Sequence, residues 1–532
     1  MNTNNLTQTK FIVLVSLFFV LFYNYTFFTN TLTVYPLEYK NSGFLLSLSV
    51  ILTTFIILLL TLVSSKWTTK PIVIILFLIS SLSSYFMNTY HIIIDANMIT
   101  NIMQTNIDES MDLLTVKQFL YFFIFGILPA FWVYKSDINY RSFKSEIISK
   151  IKVIVIALII IASCLFVFSK HYTSFFREHK SLRYATNPTY WIYSIGKYID
   201  MTLHSGKVIV KPIGLDAKIV TKPDEPKKLV IMVVGEALRA DHFSLNSYKR
   251  ETNPKLSKKD IINFSNTYSC GTSTAVSVPC MFSIFGKDNY SYKKGISNEN
   301  VLDILRHSQE VSILWRDNNS DSKGVALRVE YENYRTAEKN TICDKNECRD
   351  EGMLVGLDDY IAQQKNKNIL IILHQMGNHG PSYYKRYPKD FEKFTPICKT
   401  NQLENCTQEE ISNAYDNAIL YTDYFLAKVI DFLKKYDSRY KSAMIYMSDH
   451  GESLGENGIY LHGLPYFMAP DAQIHVGFLM WFGNKMKEEI DTEKIEKNSS
   501  LKYTHNNLFH TLLGIFNVQV KVYEKEMDIT TP

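Results

Sequence analysis

Charge of one sign is not in excess in this chain: 57 lysines and arginines stand against 52 acidic residues. A dedicated nucleic-acid binder carries a concentrated basic surplus, so that class is set aside. The composition of a disordered or collagenous protein is also missing, since 46% of the 532 residues are hydrophobic and only 20% charged. Cysteine is sparse and odd in number, seven in all, which excludes a small disulfide-stapled scaffold. No cysteine pair has the C-x-x-C spacing of a thiolate zinc site. No internal repeat or long low-complexity tract is present. A mean hydropathy near zero resembles that of an ordinary soluble enzyme, yet it averages two unlike halves.

The first part contains five apolar stretches free of charge: Phe11–Thr29, Gly43–Val63, Pro71–Tyr90, Gln118–Tyr134 and Val153–Ser169. Each is about 17–21 residues, close to the ~20 that cross a bilayer as a helix. No small-residue cleavage site follows the first, so it reads as a span and not a signal peptide. Lysines and arginines gather in alternate loops: Lys10, then Lys66 and Lys70, then Lys135, Arg141, Lys144, Lys150 and Lys152. The opposite loops hold only Lys40 and Lys117. That bias predicts a cytoplasmic N-terminus and an exported C-terminal part. Residues 171–227, rich in aromatic and basic side chains, read as an interfacial connector. Within it, Lys222–Lys228 with Pro223 and Pro226 reads as the last linker.

From residue 228 short apolar runs alternate with helix-compatible segments: Leu229–Val234, Val311–Trp315, Ile369–Leu373, Ala443–Met447 and Val476–Phe482. The expected fold is therefore a five-helix membrane anchor followed by an α/β domain with a mostly parallel sheet. In such a domain ligands gather beyond the carboxyl ends of the strands.

Six cysteines fall in the exported part as close pairs, Cys270/Cys280, Cys343/Cys348 and Cys398/Cys406, while Cys164 lies inside the fifth span. Fifteen connectivities are open in principle. In an oxidising compartment, nearest-neighbour disulfides are expected over a zinc cluster.

Polar residues follow the apolar runs at the expected places. Glu236 follows the first, and Cys270-Gly-Thr-Ser-Thr274 lies downstream of it. His374 and His379 follow the third run, and Asp449-His450 follows the fourth with His462 beyond. A lone glutamate after a strand is usually a cap, Asp-His-Gly is an ordinary turn, and threonine-rich turns are mostly N-caps. Together they form an oxygen and nitrogen set suited to Zn²⁺. A threonine opening a helix could act as a nucleophile there, with amides and dipole favouring a phosphate.

The motifs SCGTSTAVSVPCMFS, WRDNNSDSKGV, NECRDEGMLVGLDD, LHQMGNHGP and SDHGESLGENGIYLHG resemble those of the lipid A phosphoethanolamine transferases. That family includes the mobile colistin-resistance enzymes and sits in the alkaline phosphatase/sulfatase superfamily. The resemblance spans nearly the whole chain and implies an anchor at 1–170, a connector at 171–227 and a periplasmic catalytic domain at 228–532. It implies Thr274 as the nucleophile, with Glu236, Thr274, Asp449 and His450 on a tight zinc site. It places Lys323, His379 and His462 on the substrate phosphate; a second, weaker zinc is the open alternative for the two histidines. Asn101, Thr105 and Glu109, spaced for one helix face, match residues that bind the lipid substrate; a plain solvated face is the bland alternative. The resemblance implies transfer of phosphoethanolamine from phosphatidylethanolamine to lipid A, polymyxin and colistin resistance, and an inner-membrane location; a monomer is expected. The rivals are a lipoteichoic-acid-synthase-like transferase, disfavoured by the paired cysteines, and a sulfatase, disfavoured by the lack of C-x-P-x-R around Thr274. A noncatalytic receptor is disfavoured by the intact nucleophile.

Overall fold

The computed structural model describes residues 6–105, 110–111, 113–177, 179–203, 209–220, 225–344, 347–364 and 367–531. The chain forms two compact units, one of residues 1–99 and 114–198, the other of residues 100–113 and 199–532.

The first unit is helical: α1 (Gln8–Tyr23), α2 (Tyr25–Val34), α3 (Tyr39–Val63), α4 (Thr69–Tyr90), α5 (Ala96–Gln104), α6 (Val116–Lys135), α7 (Phe143–Val167), α8 (Ser169–Arg177) and α9 (Thr189–Leu203). The last residues of α5 and of α9 belong to the second unit. Among the described residues four helices, α3, α4, α6 and α7, are long and apolar enough to cross a membrane. The first expected span is not one straight rod. It is broken between α1 and α2 with a bend of 62°, so five spans result only if the bent pair is counted as one. The break falls at the wholly buried Asn24. Its amide donates to the carbonyls of Phe19 and Asn187 and accepts from the Asn187 N–H. A side chain competing for backbone partners in this way interrupts the helical ladder. Of the expected linker, residues 222–224, including Pro223, lie outside the described residues.

The second unit is built on strands β1 (Lys228–Gly235), β2 (Ile261–Phe264), β3 (Thr267–Tyr268), β4 (Val311–Asp317), β5 (Glu330–Asn333), β6 (Asn368–His374), β7 (Lys441–Ser448), β8 (Phe478–Phe482) and β9 (Tyr503–Thr504). Its seven-stranded sheet has the order β2-β8-β7-β1-β6-β4-β5. All five apolar runs become strands, but the sheet is mixed. β8 lies antiparallel to both β7 and β2, whereas the pairings from β7 through β5 are parallel. An apolar run specifies burial on both faces and leaves direction to the connection, which is why the sequence did not reveal the reversal.

Every residue of β1 is buried, and alternate side chains feed two cores. Val230, Met232 and Val234 pack with α10 (Thr274–Met281) and α12 (Asn506–Ile515) on one face. Leu229, Ile231 and Val233 pack with α11 (Gln408–Lys434) on the other. Burying each such side chain contributes about 1.5–3 kcal/mol before entropy. In the parallel part, register pairs Gly235 with Ser448, Val234 with His374, and His374 with Asp317. These strands therefore end at one level, and the residues following them share one edge.

Candidate active site

Glu236 leaves the end of β1 through a turn in which Ala237 takes φ 53°, a strained conformation for a non-glycine residue. The Tyr415 hydroxyl, donating to the Ala237 carbonyl at 2.6 Å and accepting from the Arg239 N–H at 3.0 Å, holds that turn. Gly377 fits against it because a Cβ there would lie 3.0 Å from the Glu236 carbonyl oxygen. At the end of β7, Asp449 Oδ1 accepts from the His450 N–H (2.7 Å) and the Ala237 N–H (3.2 Å).

Glu236, Asp449 and His450 are wholly buried, and their ligand atoms lie within 4.8 Å of one another. His450 Nε2 is 3.2 Å from Glu236 Oε1 and 3.4 Å from Asp449 Oδ2. Its Nδ1 donates to the Gly451 carbonyl at 2.8 Å, which fixes the ring with Nε2 toward the carboxylates. Burial pushes the Asp449 carboxyl up, and the Glu236 charge beside it adds to that rise. Burial also opposes ionisation of Glu236, but the His450 charge outweighs it and holds that carboxyl low. His450 is raised in turn: burial works against its charged form, and Asp449 and Glu236 overcome it. The two carboxylates thus favour positive charge beside them, a charge that a divalent cation can supply. Glu236 Oε1 and Asp449 Oδ2 are buried without a hydrogen bond. The donor set therefore fits a metal ion such as Zn²⁺.

Thr274 is the first residue of α10. Its Oγ1 donates to Glu236 Oε2 at 3.1 Å and lies 3.3 Å from His450 Nε2. The Cys270–Cys280 disulfide closes the preceding loop onto the same helix. Cys343–Cys348 and Cys398–Cys406 are also paired, and Cys164 is free. His462 stands with its ring centroid 4.3 Å from that of His450 and 5.9 Å from that of His379. Leu461, immediately before it, has φ 61°. Lys323, with φ 50°, sits in a turn with Asp321 at φ 86°. Its Nζ donates to the carbonyls of Ser320 (2.8 Å) and Gln104 (3.3 Å). Asn101 and Thr105 belong to this unit, and Thr105 N–H and Oγ1 both donate to the Asn101 carbonyl. The helix ends at Gln104; Glu109 lies outside the described residues.

The structure adds residues that the sequence reading did not single out. Asn319 donates to Glu236 Oε2 at 2.8 Å and to the Gln375 carbonyl. The buried Glu452 faces His462 Nδ1 at 3.3 Å. Asp317 binds His374 Nδ1 at 2.9 Å and the Trp315 indole N–H. All of these lie inside the quoted motifs, where buried polar density was the available signal.

A mixed α/β sheet, parallel where its strand ends converge, with a buried acidic–imidazole cluster and a threonine at a helix N-terminus defines a sulfatase-type catalytic domain. Residues 228–518 match the family model described as Sulfatase, and residues 52–203 match that described as Phosphoethanolamine transferase EptA/EptB. Phosphatidylethanolamine transferase Mcr-2 of Escherichia coli is 44% identical over 95% of this chain and 94% of its own. Phosphoethanolamine transferase EptA of Salmonella typhimurium is 38% identical over 99% and 97%. The integral membrane lipooligosaccharide phosphoethanolamine transferase A of Neisseria meningitidis superposes with a TM-score of 0.95 at 32% identity, covering 99% of both chains. The chain belongs to the phosphoethanolamine transferase family of the alkaline phosphatase/sulfatase superfamily.

Proposed function

We propose that this chain transfers phosphoethanolamine from phosphatidylethanolamine to a phosphate of lipid A through a phosphothreonine at Thr274. The observation that carries the reading is Thr274 Oγ1 at the head of α10, within reach of both Glu236 and His450. The names of the relatives, including the Kdo(2)-lipid A phosphoethanolamine 7''-transferase of Escherichia coli, support the donor and acceptor classes.

In the first half-reaction Thr274 Oγ1 bonds to the donor phosphorus, the bond to the glycerol oxygen breaks, and diacylglycerol leaves carrying a proton. In the second, an oxygen of a lipid A phosphate bonds to that phosphorus, the Oγ1–phosphorus bond breaks, and Thr274 takes back a proton from the acceptor's P–OH or from water. Glu236 Oε2 orients the hydroxyl, and the amides at the start of α10 face the developing negative charge. Lys323, His379 and His462 receive the phosphoryl oxygens, and Asn101, Thr105 and Glu109 hold the lipid donor. Glu236, Thr274, Asp449 and His450 would hold Zn²⁺, which when bound stabilises charge on oxygen and phosphoryl groups. A second, weaker zinc at His379 and His462 remains compatible with this arrangement.

With the bent α1–α2 pair taken as one span, the Lys/Arg bias of the loops supports an anchor with a cytoplasmic N-terminus and an exported catalytic domain, which we assign to the inner membrane and periplasm. The three-part outline of 1–170, 171–227 and 228–532 follows that topology, with residues 100–113 contributed to the catalytic unit. A monomer is proposed, since Glu236, Thr274, Asp449 and His450 meet within a single chain. Capping a lipid A phosphate with an amine lowers surface negative charge, the basis for polymyxin and colistin resistance. Mass spectrometry of lipid A from a polymyxin-sensitive host expressing the chain tests the reading. A phosphoethanolamine adduct is expected with the native chain and none with Thr274→Ala; no adduct from the native chain would refute it.

A further inference from the structure

The nucleophile segment and the metal-ligand segment are joined by a side chain from neither. His505 follows β9, which pairs in parallel with β3, and it immediately precedes α12. Its backbone N–H donates to the Tyr268 carbonyl at 3.1 Å. The wholly buried ring then spans two loops. Nδ1 accepts from the Cys270 N–H at 3.0 Å, and Nε2 donates to the Ser448 carbonyl at 2.9 Å. An amide N–H only donates and a carbonyl only accepts, so both contacts hold together only in the neutral tautomer protonated on Nε2.

Cys270 opens the loop that ends at Thr274, and Ser448 immediately precedes Asp449 and His450. Other bonds of the nucleophile loop lead elsewhere: Thr272 Oγ1 donates to the Leu464 carbonyl, and the Gly463 N–H donates to the Thr272 carbonyl. The helix behind His505 is anchored by the buried Leu508, Phe509, Leu512 and Leu513. The imidazole is thus a rigid spacer between two loops whose separation sets the 3.3 Å from Thr274 Oγ1 to His450 Nε2.

We propose that His505 is a positioning residue for the transfer reaction, holding the Thr274 loop at a fixed distance from the Asp449–His450 loop. The inference rests on Thr274 being the nucleophile. A displacement of about 1 Å in a reacting group can lower a rate by roughly 10²-fold.

The test uses the full chain in detergent micelles with two substitutions that each keep half of the bridge. In His505→Asn the amide oxygen replaces Nδ1 and still accepts from the Cys270 N–H. In His505→Gln the amide nitrogen replaces Nε2 and still donates to Ser448, leaving the Cys270 N–H without its acceptor. We expect kcat for transfer from a fluorescent phosphatidylethanolamine to fall by about tenfold or more in both, with the donor KM within about twofold of native. Hydrogen exchange at the Cys270 amide should rise by about tenfold or more in the Gln variant and stay native in the Asn variant. With Co²⁺ bound as a spectroscopic probe, the visible bands should shift in both variants. Native kcat per folded molecule in both variants, or equal exchange at Cys270 in the two, would overturn the proposal. Should neither variant fold, ¹⁵N-labelled histidine in the native chain decides: the Nε2–H tautomer at His505 supports the bridge and the Nδ1–H tautomer overturns it. A native chain inert toward phosphatidylethanolamine would refute the reaction assigned above, while the exchange and cobalt readouts would still judge His505.

Discussion

The helical unit and the catalytic unit solve the burial problem in opposite ways. In α7 the apolar side chains Ile148, Ile151, Ile156, Leu158 and Ile159 are exposed, whereas every residue of β6 is buried. The helical unit hides neutral hydroxyls and amides, such as Ser16, Thr31 and Asn24, each bonded to backbone carbonyls. The catalytic unit hides ionisable groups, among them Glu236, Asp449, His450, Asp317 and Asp423. Hydrocarbon accepts an outward-facing leucine but no unpaired charge, so polar groups must be neutral and satisfied locally. Water forces apolar groups inward and lets charged clusters form where strand ends converge. The apolar content of a segment therefore says little about its burial until its solvent is known.

The sharpest test of this division is chemical. Thr274→Ala should lower transfer by about 10³-fold or more, measured as labelled phosphoethanolamine appearing on lipid A. Removing metal from the native chain with a chelator should abolish transfer, and zinc should restore it. Neither treatment should change the helix content of the anchor in circular dichroism.

The same substitution placed in both regions tests the burial argument. Ile371→Ala, at a position 0% exposed, should destabilise by about 2–5 kcal/mol. Ile159→Ala, 59% exposed on α7, should cost less than about 1 kcal/mol, since lipid is as apolar as the residue removed. Chemical denaturation of the two variants in detergent reads the difference directly; equal losses would break the comparison.

Buried charge should also make the catalytic unit sensitive to pH. Asp423 accepts from the Lys255 and Leu256 N–H groups, and burial pushes its carboxyl up to about 7 against their opposing effect. Between the ordinary value near 4 and 7 the native state binds the extra proton. This contribution, on the order of 4 kcal/mol, is therefore full below about pH 4 and lost as pH rises through 7. Asp423→Asn should flatten that part of the stability–pH curve.

Cysteine gives the smallest of these effects. Replacing Cys270 and Cys280 together by serine should cost about 2–3 kcal/mol by freeing the unfolded loop. Cys164→Ser should change stability by less than about 0.5 kcal/mol.

Much of the catalytic unit was legible because its strands are near-continuous apolar runs. The chemistry was legible because the groups follow the ends of those runs: Glu236 after β1, His374 at the end of β6, Asp449-His450 after β7. The reversal of β8 was not, since an apolar run has no direction. Nor was the break at Asn24, whose partner Asn187 is remote in sequence. His505 stands in no motif, and only the pairing of β9 with β3 brings its ring to Cys270 and Ser448.

The sequence by itself determined which segments are apolar enough for lipid, which strands are buried on both faces, and which chemical groups stand at strand ends. Those properties are local, set by side-chain transfer energies and the period of the backbone. Tertiary structure set the distances at which Glu236, Thr274, Asp449 and His450, grouped beforehand by motif and family resemblance, meet; it alone decided that residues 100–113 join the catalytic unit and that His505 bridges the two loops. Those contacts lie far apart along the chain, and their geometry follows from sheet register and helix packing, which no single segment encodes.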